Sequence, residues 1–444
     1  MEGAATATAP ARLGAAAVEL LRDLIRIDTV NPPGNERALQ EKLMGMLQRA
    51  GFECELLAAE PERPNLVARL RGSSEGPTLT LLGHVDTVRA DPEEWSHGPW
   101  SADLAEDEVW GRGALDMKGQ VAAEVAAALE LAGSGWRPAS GQLLVVITAD
   151  EETGGELGAQ WLTEEHPDTV RSDYVVNEGG GASFEHDGRR LYPICVGEKG
   201  IFRFRLRTRG AAGHASLPRI GENALLKLAP LVARLREQPP PEATTEGIAF
   251  LSAVLSEDVA EADLAGAIER LRDTEPLLAD YLAEPMQSVT LAPTRAWASE
   301  KANVIPSGAG VLVDCRVPPG HGEREVRERV EALLGSDGYE LEFTEQVTGN
   351  TSPLASPLRD EIEGWLADVD PGAALAPIVM PGFSDSNWFR SAFEDATVYG
   401  FCPQRARGLF EATPLIHGAD ERIPTSDVEL AARFFFDLPV RMLA

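Results

Sequence analysis

Cysteine is scarce in this chain. Its four residues, Cys54, Cys195, Cys315 and Cys402, lie far apart and form no C-x-x-C pair. That pattern excludes a disulfide framework and a thiolate zinc site as expectations. The four are expected as small buried hydrophobes. Basic residues are also few, 40 Lys plus Arg against 71 Asp plus Glu, for a formal charge of −31. Such a chain offers no basic face for phosphates or for an anionic lipid surface. Neither nucleic acid nor membrane is therefore expected as a partner. No apolar run approaches the roughly 20 residues that span a bilayer. The Ala-rich start, from Met1 to Leu21, lacks a basic segment followed by an apolar core. It reads as a lead into a helix, not a signal peptide, and a cytoplasmic location is the expectation.

What is present is a chain of 444 residues, 43% hydrophobic, enough for two or three domains with packed cores. Its first half alternates helices and strands. Leu13, Ala17, Leu20, Leu21, Leu24 and Ile25 recur at helical spacing. Strands are expected at 53–57, 65–70, 78–82, 142–148 and 173–176, with helices at 36–50 and 121–131. Gln142–Thr148 (QLLVVIT) is apolar throughout, as a strand buried on both faces is. This alternation predicts an α/β layer with a mostly parallel sheet. From about Ile194 the texture changes. Ile201–Thr208 (IFRFRLRT) alternates apolar and basic, as a strand with one wet face does. A helix at 223–236, a polar and helical excursion over 237–294, strands near 295–298 and 310–317, a helix at 323–334 and a strand at 340–346 follow. The order β-α-β-β-α-β, with an insert, is ferredoxin-like. The predicted organisation is a catalytic α/β domain (1–193 and 350–444) interrupted by a smaller α+β domain (194–349).

Five short segments carry chemistry. In Leu82-Gly83-His84-Val85-Asp86 the strand period of two puts His84 and Asp86 on one side. Asp86 is placed to take the second ring N–H of His84, an arrangement usual for metal-bound histidine. A surface turn is the plain alternative. Gly111-Arg112-Gly113-Ala114-Leu115-Asp116-Met117-Lys118-Gly119 sets an acid just before a helix, where Asp116 is a helix cap or a carboxylate able to bridge two cations. Asp150, Glu151 and Glu152 stand together at the end of the apolar strand, where sites in open α/β sheets lie. Their mutual repulsion implies a counter-cation or shifted pKa values, unless the segment is a solvated acidic loop. Glu178 follows another short apolar strand, and His417 sits in a late loop, Ile416-His417-Gly418-Ala419-Asp420-Glu421-Arg422.

Together, in order and spacing, these segments resemble the dinuclear zinc amidohydrolases and peptidases. That superfamily includes acetylornithine deacetylase, succinyl-diaminopimelate desuccinylase, aminoacylase and glutamate carboxypeptidase. The resemblance runs from Asn31-Pro32-Pro33-Gly34 to His417. It implies a zinc-peptidase catalytic domain carrying an inserted lid, and two Zn2+ per chain, with Co2+ or Mn2+ as substitutes. His84, Asp116 and Glu178 would hold one ion. Asp116, Glu152 and His417 would hold the other, with Asp116 bridging. Asp86 would orient His84, and Glu151 would be general base to a metal-activated bridging water. The peptide bond after the bridging Asp is commonly cis in the family, which marks Asp116–Met117. His214 would reach the substrate carbonyl from the lid. Asn303 and Arg316 would bind the substrate's free carboxylate, and Ser384 and Asp385 would contact the substrate. The bland alternatives are a loop histidine at 214, a turn Asn303, a surface Arg316 beside Asp314, and an Asx-type turn at 384–385. Glu198-Lys199-Gly200 stands where relatives that cleave acidic substrates often carry Arg.

The expected activity is that of a dizinc metallohydrolase. It would cleave an amide bond next to a free carboxylate in short peptides or N-acyl amino acids. Carboxypeptidase is favoured, with an N-acyl-amino-acid deacylase as the alternative. A non-catalytic binding relative is the reading from another class, and Glu151 beside five ligands speaks against it. The resemblance further implies a homodimer formed through the lid. The stretch 237–294 would extend that contact or replace the partner in a monomer.

Overall fold

A computed structural model describes residues 12–444. The expected lead at 1–11 lies outside the described residues. Two compact units emerge. The first comprises the chain to Val196 with Ser352–Ile378 and Ser384–Ala444. The second comprises Gly197–Thr351 with Val379–Phe383, a short addition that has no visible signal in the sequence.

The first unit is built on a mixed sheet. At its centre lie four parallel strands, in the order Gln142–Thr148, Thr78–His84, Tyr174–Asn177 and Thr397–Gly400. Antiparallel strands Asn65–Arg71 and Glu53–Leu57 extend one side. The Thr78–His84 strand is buried at every position, and Gln142–Thr148 at all but its first. Both faces of the sheet are therefore covered, which explains apolar runs without alternation. Helices Arg12–Ile25, Lys118–Gly133 and Thr425–Met442 pack on one another. Of these, Lys118–Gly133 is buried around most of its circumference. Its small Ala side chains allow close approach on every side without loss of helix propensity. Leu24, Val121, Phe435 and Trp365 belong to the same core.

The second unit holds an antiparallel sheet. Its strands run Thr290–Trp297, Gly308–Val317, Phe204–Arg209 and Glu340–Phe343. Numbered along the chain that order is 2-3-1-4, the ferredoxin-like arrangement read from the other edge, with helices Ala224–Arg234 and Glu323–Leu334. The expected single strand 201–208 is interrupted: Gly200–Ile201 and Phe204–Arg209 are separate segments. Phe202 donates its backbone N–H to Cys315 O at 2.8 Å across the break. The 237–294 excursion is helical, with helices Thr245–Leu255 and Leu264–Thr274. Lys199, fully buried, donates to Pro285 O at 2.8 Å, Ser288 O at 2.7 Å and Thr290 Oγ1 at 3.1 Å. Burial pushes its ammonium down to about 7, and three oxygen acceptors compensate. All four cysteines are free, three of them buried and Cys54 half-buried. Among the described residues no helix is long and apolar enough to cross a membrane.

Candidate functional site

Three parallel strands end side by side, and each delivers acids or a histidine at its carboxyl end. His84 is the last residue of its strand. Glu151 and Glu152 open the turn after Gln142–Thr148. Glu178 follows Tyr174–Asn177. Asp116 precedes the Lys118–Gly133 helix, and the peptide bond Asp116–Met117 is cis. His417 comes from a distant loop with φ +62° and is half-exposed.

These groups converge. Asp116 faces a different histidine with each oxygen: Oδ1 lies 3.1 Å from His84 Nε2 and Oδ2 lies 3.0 Å from His417 Nε2. Glu178 Oε1 and Glu151 Oε2 stand 3.6 and 3.7 Å from His84 Nε2. Glu152 Oε2 is 3.2 Å from His417 Nε2. Two sets of ligand atoms result, His84 with Glu151 and Glu178, and Asp116 with Glu152 and His417, each within 4.8 Å of one another. His84 Nδ1 lies 3.0 Å from the Asp86 carbonyl. Donation there turns the Nε2 lone pair toward three carboxylates, a stance that needs a cation between them. Imidazole and carboxylate donors without thiolate fit a divalent ion of the zinc type. The donor set therefore fits two cations that share Asp116.

The electrostatics agree. Burial opposes an imidazolium at His84, yet Glu151, Asp116, Asp86 and Glu178 outweigh it and raise its pKa well above the ordinary value. Hydrogen bonds to Asp116 and Glu152 push His417 up to about 10. Burial, with Glu178, Asp385 and Glu152 nearby, drives Glu151 well up against the opposing pull of His84. Burial likewise raises Glu178 and Glu152. Asp116 goes the other way, because both histidines outweigh its burial.

The Asp86 carboxylate is 3.5 Å from His84 Nδ1, while the carbonyl of the same residue takes the closer contact. The carboxylate accepts from Glu151 N and Glu152 N, both at 3.2 Å, and from Asn31 Nδ2 at 2.9 Å. Asp86 thus anchors the acidic turn as well as the histidine. Ser384 and Asp385 are buried. Asp385 does not cap the following helix; its Oδ2 accepts from Thr148 Oγ1 at 2.6 Å. The Ser384 hydroxyl accepts from Ser386 N at 3.2 Å.

His214, Asn303 and Arg316 belong to the second unit. His214 is exposed, on a two-stranded ribbon with Val304, and its Nδ1 lies 2.8 Å from Ser216 Oγ. Asn303 O accepts from Ala215 N at 3.0 Å. Arg316 Nε donates to Asp314 Oδ1 at 2.8 Å.

Several residues that support the site had no role assigned from sequence. Glu421, fully buried, accepts from Arg112 Nη1 (2.6 Å), Gly113 N (3.1 Å), Leu115 N (2.7 Å) and Asp116 N (3.0 Å). Arg112 Nη2 also donates to Gly418 O at 2.9 Å and His417 O at 3.3 Å. One ion pair therefore ties the Asp116 loop to the His417 loop. Asn31, Glu36 and Arg63 form a second such support behind Asp150. No local pattern announces either group, since each partner is hundreds or tens of positions away.

Comparison with known proteins adds four findings. The family model described as Peptidase family M20/M25/M40 matches residues 80–440. A succinyl-diaminopimelate desuccinylase of Paracoccus denitrificans is 27% identical, covering 94% of this chain and 96% of that protein. A probable carboxypeptidase S-like 2 of Dictyostelium discoideum is 25% identical, covering 84% and 73%. Among solved structures, an M20 family metallo-carboxypeptidase from Sulfolobus solfataricus superposes with a TM-score of 0.74 at 18% identity, covering 96% of this chain and 99% of that one. That likeness establishes the fold.

Proposed function

The chain belongs to the peptidase family M20/M25/M40, and on that footing we propose that it is a dinuclear metal-dependent hydrolase of an amide bond next to a free carboxylate. Its substrates are short peptides or N-acyl amino acids. The observation that carries this is Asp116, whose two oxygens face two different histidines at 3.1 and 3.0 Å. His84, Asp116 and Glu178 would hold one ion, and Asp116, Glu152 and His417 the other. Zinc suits these donors, with cobalt or manganese as substitutes. Two divalent cations held there would acidify a water to roughly neutral pKa and polarise the scissile carbonyl.

The protein's own groups do the rest. Glu151, raised by burial and neighbouring acids, takes a proton from the attacking water and passes it to the departing amine nitrogen. Asp86 holds the amides of Glu151 and Glu152 and so fixes where that carboxylate stands. The resemblance assigns His214 as donor to the developing oxyanion. It assigns Asn303 and Arg316 to the free carboxylate, which a planar guanidinium suits. Ser384 and Asp385 line the substrate side of the first unit. The second unit acts as an inserted lid and as the contact of a homodimer, and the enzyme works in the cytoplasm.

Peptidase and deacylase readings both draw support, since the relatives named above are a carboxypeptidase-like protein and a desuccinylase. A binding-only role is disfavoured, because a proton carrier has no use there. The test is a hydrolysis screen of zinc- and cobalt-loaded protein against N-acyl amino acids and dipeptides. Turnover confined to free-carboxylate substrates supports the proposal. No turnover of any member with metal bound overturns it.

A further inference from the structure

Two side chains that precede the family-matched segment, Arg63 and Asn31, reach the acidic turn from behind, and a third, Glu36, backs Arg63. Arg63, Glu36 and Asn31 are all buried, as is Asp150 itself. Arg63 is forked between two acids: Nε and Nη2 reach Glu36 at 3.1 and 2.5 Å, and Nη1 reaches Asp150 Oδ1 at 2.8 Å. Asp150 Oδ1 also accepts from Thr153 Oγ1 at 2.5 Å, and Oδ2 accepts from Leu157 N at 3.0 Å. Asn31 Nδ2 lies 3.1 Å from Asp150 Oδ1 and 2.9 Å from Asp86 Oδ2, so one amide joins the two anchors of the turn. Asp150 has φ +70°, in the left-handed region that few non-glycine residues occupy. Its side-chain bonds hold it there, and the next residue is Glu151.

We propose that Arg63 is a positioning residue for Glu151: it clamps Asp150 against Glu36 and so sets the turn from which Glu151 and Glu152 project. This rests on Glu151 being the proton carrier. The geometry asks for arginine in particular. A planar fork satisfies two carboxylates at once, whereas a lysine ammonium is a point charge that reaches one. The backbone makes room for that fork. Gly34 has φ +78°, and a Cβ there would stand 2.2 Å from Arg63 Nε. The Pro32-Pro33-Gly34 turn thus closes over the guanidinium. Arg63 is too buried to meet substrate, so its effect on turnover is geometric.

Arg63→Lys and Gly34→Ala test this in the full, metal-loaded chain. The first keeps the charge and loses the fork; the second crowds the fork from the opposite side. Measured are kcat, KM, the pH profile of kcat, bound metal, the thermal midpoint and hydrogen exchange across residues 148–158. Both variants are expected to retain metal and lower kcat about 10- to 100-fold, with KM changed less than about twofold. The pH profile shifts, and exchange rises over 148–158 but not over 425–442. A lower thermal midpoint with kcat, pH profile and exchange unchanged overturns the proposal, because Arg63 is then a structural ion pair only. If wild type hydrolyses nothing, the role of Glu151 falls. Exchange then still decides whether Arg63 holds the turn.

Discussion

Replacing Glu421 by Gln is the sharpest test of how the site is held. The carboxylate is fully buried, and each oxygen accepts two bonds. Oε1 takes Leu115 N and Asp116 N; Oε2 takes Gly113 N and Arg112 Nη1. Burial works against its charge, but four donors converge on two oxygens and leave no place for a proton. Glutamine must put an NH2 group on one side or the other. Either choice loses two accepted bonds and sets donor against donor. It also leaves the Arg112 guanidinium without its carboxylate. Breaking one partner of a buried pair costs about 3–5 kcal/mol. The Asp116 amide and, through Arg112, the His417 and Gly418 carbonyls lose their common tie. Metal affinity should therefore fall about 10- to 100-fold as well. Denaturant unfolding of the metal-free protein, followed by tryptophan fluorescence, reads the first quantity. Arg112 lies over the Trp95 ring at 5.1 Å, and Trp95 is one of the eight tryptophans that report the transition. Competition with a chromophoric chelator reads the second. A loss below about 1 kcal/mol with affinity unchanged would refute the reasoning.

Further outcomes follow from the same geometry. Glu151→Gln should abolish turnover while metal content stays at the wild-type value by elemental analysis; retained activity would remove Glu151 from the mechanism. Metal-free protein should lose stability as pH rises above the ordinary carboxyl value of 4.5. The raised pKa values of Glu151, Glu152 and Glu178, and then of His417 at about 10, mean that the folded state must give up protons it holds more tightly than the unfolded state does. Thermal midpoints across that range, with and without chelator, check the slope, and restored zinc should flatten it. Burial raises Cys54 to about 11, Cys315 to about 12 and Cys402 well above its usual value. The native protein at pH 8 should accordingly show no fast reaction with a thiol reagent, and the denatured chain should show four thiols.

What could be read from sequence was whatever local pattern encodes. An apolar run closed by three acids announces a central strand with a site at its carboxyl end. A strand period of two, read across His84 and Asp86, announces a shared side, although the strand itself ends at His84. Side-chain orientation within that pair was beyond reach, because the closer contact of His84 is to the Asp86 carbonyl. The supports were invisible for a different reason. Arg63 meets Asp150 across 87 positions and Glu421 meets Asp116 across 305, and no periodicity links partners so distant. The strand break at Phe202 was equally hidden, since its hydrophobic alternation continues through it.

Of the proposed ligands, His84, Glu152 and Glu178 stand at the ends of neighbouring strands, and Asp116 and His417 come from loops far away along the chain. A nascent or unfolded chain therefore holds only Asp150, Glu151 and Glu152 together, with the histidines and the other acids far off. The acids become neighbours only when Thr78–His84 is paired on both sides, and that is also when their repulsion first appears. On the proposed reading, cations would bind a finished scaffold and relieve a tension that folding itself creates. Cells short of the ion would accumulate a correctly threaded but strained protein, not a misfolded one.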